Sequence, residues 1–187
     1  MHSGRSALAH AHTSYMREDE GWLMDLYVLR HGKAGTPLDD PAEDAGRPLS
    51  QDGREQVKVV AGWIADRTFD LDVIATSPLR RAHETADMVA RATGRTDRLS
   101  VRDELLPGRE VREGARWLHE IGGDRRVMIV GHEPGLSALI GNLIGDGGAS
   151  VVLRKGGIAK IRNIGPDLPL RGELHWLLTP GQIADMR

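Results

Sequence analysis

Three compact apolar runs punctuate the chain: Leu26-Tyr27-Val28-Leu29, Val73-Ile74-Ala75-Thr76 and Val127-Met128-Ile129-Val130. Each is short, apolar and stopped by a turn-forming segment, the pattern of a buried strand. Between them apolar residues recur at helical spacing. Val57, Val60, Ala61 and Ile64 predict a helix over about 50–67, with Ser50 as N-cap and Asp52 in the first turn. Ala82, Ala86, Val89 and Ala90 predict a second, opening at Pro78, a favoured first position, and ending near Gly94. Val111, Ala115, Leu118 and Ile121 share one face of a helix over about 110–121, and another follows over about 135–144. Leu99-Ser100-Val101 reads as a short strand. The polar stretch 33–48, with Pro37, Pro41 and Pro48, predicts a loop. After the turn Gly145-Asp146-Gly147-Gly148, strands are expected over 150–153, 158–163 and 173–178, with a hairpin among them.

Strands alternating with helices predict a three-layer α/β/α domain with a mostly parallel mixed sheet, the last strands adding an antiparallel edge. Residues 25–187 are expected to form this one domain. Residues 1–24 lack apolar periodicity and carry His2, His10 and His12 among small residues, so they are expected to be a disordered or non-native extension. Met24, just before the first strand, is a candidate natural start. No apolar signal core lies between Ala7 and Ala11, which together with the absence of cysteine predicts a cytoplasmic protein. No apolar run is long enough to span a membrane. Without cysteine, disulfides, thiolate nucleophiles, iron–sulfur clusters and Cys-ligated zinc are excluded. Lys plus Arg number 25 against 27 Asp plus Glu, a net charge of −2, which excludes a global basic field for nucleic acid. Trp22, Trp63, Trp117 and Trp176 are scattered and form no base-stacking stripe.

Three segments at strand ends carry the chemistry. Arg30-His31-Gly32 follows the first strand, and ligands of open α/β sheets gather at the carboxyl ends of strands. Arginine offers a planar fork to phosphate, a neutral imidazole can attack phosphorus, and glycine lets the backbone approach a ligand closely. Ser77-Pro78-Leu79-Arg80-Arg81-Ala82 lies at a strand-to-helix junction, where free N–H groups attract anions. Adjacent arginines on a helix point about 100° apart, so one of Arg80 and Arg81 faces the strand ends. Gly131-His132-Glu133-Pro134-Gly135 ends the third strand and opens a helix. Each segment alone also reads as structural: a capping histidine, a solvated arginine pair, a satisfied buried histidine. Together they describe an anion pocket that can also attack. No HExxH pair, glycine-rich nucleotide motif or GxSxG elbow is present, and neither metal nor cofactor is expected.

These segments, extended as Leu29-Arg30-His31-Gly32, Ser77 to Ala86 with His83-Glu84-Thr85, and Gly131-His132-Glu133-Pro134, resemble the histidine phosphatase superfamily, the phosphoglycerate mutase-like proteins. They occur in that family's order, and the resemblance covers roughly residues 25–178. The short chain, Lys33-Ala34 after RHG and Glu133-Pro134 after His132 resemble the SixA-type phosphohistidine phosphatases in particular. The resemblance implies a phosphoglycerate mutase-like fold, His31 as nucleophile, and Arg30, Arg81 and His132 as phosphoryl ligands. It selects Arg81, the arginine just before alanine, over Arg80. Water would then hydrolyse the phosphoenzyme without a metal. Gly35-Thr36-Pro37 departs from the Ser or Asn usual in mutases and argues against sugar-phosphate mutase activity. Glu104 is the nearest candidate for the proton donor of larger members, and equally a solvated loop carboxylate. Three readings remain: a metal-independent phosphatase of phosphohistidine proteins, a phosphatase of small phosphomonoesters, and a non-catalytic module docking a phosphorylated partner.

Overall fold

A computed structural model describes residues 23–123, 125–145 and 149–186. Residues 1–22 of the stretch read as an extension, with its three histidines and Trp22, lie outside the described residues, as do positions 146–148 of the glycine-rich turn. One six-stranded sheet has the order β3-β2-β4-β1-β5-β6. β1 (Met24–Arg30), β2 (Val73–Thr76), β3 (Leu99–Val101) and β4 (Arg126–Gly131) are mutually parallel. β5 (Ile158–Ile164) runs antiparallel to β1, and β6 (Glu173–Leu178) antiparallel to β5. Met24 begins β1 and is fully buried, so it belongs to the strand rather than preceding it.

The period of two along β1 separates the two cores. Met24, Leu26 and Val28 face Leu118, Leu139 and Ile140 of α4 (Val111–Ile121) and α5 (Gly135–Ile144). Tyr27 and Leu29 face Val60, Ile64 and Val89 of α2 (Gln51–Asp66) and α3 (Arg80–Ala92). Helices thus cover both faces, giving the α/β/α layering. Trp63 packs edge-on to Trp176 at 5.5 Å beside Tyr27 and Phe69, and Trp117 sits in the opposite core.

Four local expectations are corrected. The loop 33–48 contains α1 (Pro41–Ala45), started by Asp40, whose carboxylate accepts from Ala42 N and Glu43 N. α3 starts at Arg80, not Pro78. Ser77 N still donates to β4, and the first helical bonds run to Leu79 O from Ala82 N and His83 N. Residues 150–153 form no strand, because β4 and β5 already fill both edges of β1. A last helix, α6 (Pro180–Asp185), was not anticipated; Thr179 and Gln182 form its capping box and Ile183 buries its one apolar anchor.

Packing explains the glycine after His31. A Cβ on Gly32 would lie 2.8 Å from both Gly53 O and Val57 Cγ2. The neighbour that requires a bare backbone here is therefore α2, not a ligand. Gly53 is tighter still, since its Cβ would sit 1.9 Å from Lys33 O and 2.8 Å from Lys33 C. The first turn of α2 also ties to this point through Ser50 N donating to Lys33 O at 2.9 Å. Gly53→Ala is expected to destabilise the fold by about 3 kcal/mol and to lower turnover in the folded fraction, because backbone must move. Urea unfolding paired with a rate assay on folded protein checks this.

Candidate active site

Strand register brings distant segments together. Arg30 pairs with Gly131 across β1 and β4, and Thr76 with Val130 across β2 and β4. The three parallel strands therefore end within one residue of each other, and His31, Ser77 and His132 emerge side by side. His31 N donates to Gly131 O, and Ser77 N to Val130 O. The two imidazole centroids are 4.9 Å apart. His31, His132 and Arg81 are buried, with relative exposures of 6%, 5% and 6%, while Arg30 is half-buried.

Hydrogen bonds orient each group. His31 Nδ1–H donates to Gly32 O at 2.7 Å, which leaves Nε2 as the free lone pair. His132 Nε2 lies 2.9 Å from Ser77 Oγ, leaving Nδ1 free. Arg30 Nη1 donates to Leu153 O at 2.9 Å. Arg81 Nη1 donates to Asp44 O at 2.9 Å and pairs with the Asp44 carboxylate at 3.2 Å. Among the described residues, the buried polar side-chain atoms without a partner include Arg30 Nε, Arg81 Nε and His132 Nδ1. His132 packs against the His31 ring, and Arg81 and Arg30 both act on its charge, so the three residues form a setting that suits an anion.

Burial pushes the His31 pKa from 6.5 to about 4; the Gly32 carbonyl opposes this, while Arg81, Arg30 and Lys155 lower it further. His132 falls to about 3, again mainly through burial, then through His31, Arg81 and Arg30. Asp44 is held at about 2, first by its hydrogen bond from Arg47. Both histidines are thus neutral at pH 7, and His31 needs no base to expose its lone pair. The unfolded chain takes up their protons near pH 6.5, whereas the folded chain resists until about pH 4. Their contribution to stability is therefore complete above pH 6.5 and lost as pH falls from there. Relative to neutral pH, His31 alone is expected to cost about 3 kcal/mol at pH 4. Urea midpoints should drop across that window, and His31→Asn should flatten the drop.

Arg80 is turned outward, its side chain 58% exposed and paired with Glu84 at 2.8 Å. Glu104 sits in a single 3₁₀ turn over 103–105 and lines a small cavity of about 30 Å³ together with His132. Sequence reasoning missed four supporting groups. Thr85, fully buried, accepts from Gly32 N and donates to Arg81 O, linking the two motifs. Its place four residues after Arg81, on the same helical face, was the available signal. Ser77, which meets His132, lies within the second of the three strand-end segments. Asp44 and Lys155 carry no sequence signal. Among the described residues, no group of three or more His, Asp or Glu is gathered as metal ligands, and no helix is long and apolar enough to cross a membrane.

The family described as histidine phosphatase superfamily (branch 1) matches residues 26–106. An uncharacterised protein of Picosynechococcus sp. (strain ATCC 27264 / PCC 7002 / PR-6) is 34% identical over 153 residues, covering 75% of this chain and 86% of its own. Phosphohistidine phosphatase SixA of Escherichia coli (strain K12) is 26% identical over 122 residues, covering 64% of this chain and 74% of its own. The solved structure of the protein histidine phosphatase SixA complexed with tungstate superposes with a TM-score of 0.73 at 23% identity, covering 88% of this chain and 100% of that one. At that identity the superposition shows the fold.

Proposed function

Because the chain belongs to the histidine phosphatase superfamily, and is SixA-like within it, we propose that it hydrolyses phosphohistidine on a phosphorylated protein. In this reading His31 Nε2 attacks phosphorus and the substrate's P–N bond breaks. The leaving imidazole departs neutral, carrying a proton taken up before attack. Water then attacks the phosphoryl group on His31, that P–N bond breaks, and phosphate leaves. Arg30, Arg81 and His132 hold the phosphoryl oxygens through both steps, so positioning and charge are supplied by side chains without a metal. The observation that supports this reading most is a neutral His31 with His132, Arg81 and Arg30 about it, each carrying an unpartnered buried nitrogen.

Small phosphomonoesters are the second reading, favoured by Glu104 beside His132. An ester leaves as an alkoxide or phenoxide and gains from a proton donor, whereas a protonated imidazole does not. Phosphate release in EDTA should be measured from a phosphohistidine protein and from an aryl phosphate. The proposal expects faster release from the protein, unaffected by Glu104→Gln. Release confined to the ester, and lowered by Glu104→Gln, would replace it with the second reading. Binding of both without release would leave a docking module.

A further inference from the structure

The connection between α5 and β5 crosses the carboxyl end of β1. Over 149–157 it has no regular structure, yet it is pinned to the nucleophile's backbone. Gly156 N donates to Arg30 O and His31 O, both at 3.1 Å, and Arg30 returns a bond to Leu153 O. Gly157 N closes the turn onto Arg154 O at 2.7 Å. Gly156 holds φ +71, a conformation that a side chain would strain. This turn presents Arg154 and Lys155, both exposed, beside Arg30.

With Arg30, Lys33, Gln56 and Thr179 they line a surface groove of about 460 Å³. Its lining holds four cations and no carboxylate, in a chain whose net charge is −2. Lys33 has only a solvated partner, Asp52 at 3.4 Å, with side-chain exposures of 51% and 76%. Among the described residues, neither Arg154 nor Lys155 has a carboxylate within ion-pair distance. The Lys155 ammonium is disfavoured by burial and by Arg30, Arg47, Arg81 and Lys33, so it faces a field of like charge. Arg154 and Lys155 without a carboxylate, and Lys33 with only an exposed one, in a groove continuous with Arg30 suit an anion that extends beyond a single phosphate.

We propose that Lys33, Arg154 and Lys155 form a docking groove for an acidic segment flanking the phosphorylated residue of a protein substrate. The proposal rests on the phosphatase reading above and adds selection of the substrate by its neighbouring Asp and Glu side chains. An exposed groove open to solvent admits a polypeptide, and the like charges supply attraction without demanding one fixed geometry.

The test uses the full chain and two phosphohistidine peptides that differ only in flanking residues, Asp/Glu in one and Lys in the other. The readout is the ratio of their kcat/KM values, which general damage to the enzyme does not move. The wild type is expected to prefer the acidic peptide at least tenfold, through KM, with the preference falling as salt rises. In Arg154→Glu/Lys155→Glu the ratio should fall to one or below. A wild-type ratio near one, or a ratio the double variant does not change, overturns the groove. Should an aryl phosphate turn over while neither phosphohistidine peptide does, the phosphohistidine reading fails by itself. The ratio is then taken with phosphoserine peptides of the same flanks: a tenfold acidic preference that the double variant abolishes supports the groove, and a ratio near one overturns it.

Discussion

His31→Ala is expected to lower phosphate release by at least about 10³-fold, for a phosphohistidine protein and an aryl phosphate alike, because both would share the attacking nitrogen. Substrate should still bind, since Arg30, Arg81 and His132 keep their partners. The backbone about position 31 is fixed independently of the imidazole, by Gly131 O, Gly156 N and Thr85. Loss of rate with retained fold therefore points to chemistry. Acid-labile label trapped on the wild type by rapid quench, and missing from the variant, would locate the covalent phosphate at His31. Turnover within tenfold of the wild type would remove His31 as nucleophile.

The groups that make such an experiment possible are partly legible in the sequence. The apolar runs end abruptly at Arg30-His31-Gly32, Ser77-Pro78 and Gly131-His132, and the parallel pairing of β1, β4 and β2 brings those ends within one residue of each other. Their convergence thus follows from strand type and register. What stayed hidden depends on contacts that a local pattern does not encode. α1 buries no residue, so no apolar period marks it, yet its Asp44 orients an arginine 37 positions away. Val151, Val152 and Leu153 have strand composition, but both sides of β1, whose end they cross, are taken by β4 and β5. Leu153 instead buries and gives its carbonyl to Arg30, while Val152 is 72% exposed. The role expected of Gly32 differed for the same reason: the helix it must admit is set by tertiary packing.

Arg81→Ala is expected to reduce kcat by about 10²- to 10³-fold, the cost of removing one preorganised charge from a transferring phosphoryl group. Arg81→Lys should recover only part of this, because an ammonium keeps the charge but loses the fork that holds Asp44 and would meet phosphate at the same time. The geometry distinguishes this loss from unfolding. Asp44 retains Arg47 at 2.8 Å and the Leu38 N–H at 3.1 Å, so α1 stays anchored when the guanidinium is removed. Thr85 bonds the backbone carbonyl of residue 81 and still holds Gly32. Unchanged urea midpoints beside a collapsed single-turnover rate are therefore expected. Asp44→Asn separates positioning from charge: the Arg81 contact to the Asp44 backbone remains, its carboxylate partner becomes neutral, and the arginine is freer to turn. That variant should lose less than Arg81→Ala, and the combination with Arg81→Ala should lose no more than Arg81→Ala alone, since Asp44 acts through Arg81. Additive losses would show instead that Asp44 acts on the site by a route other than Arg81.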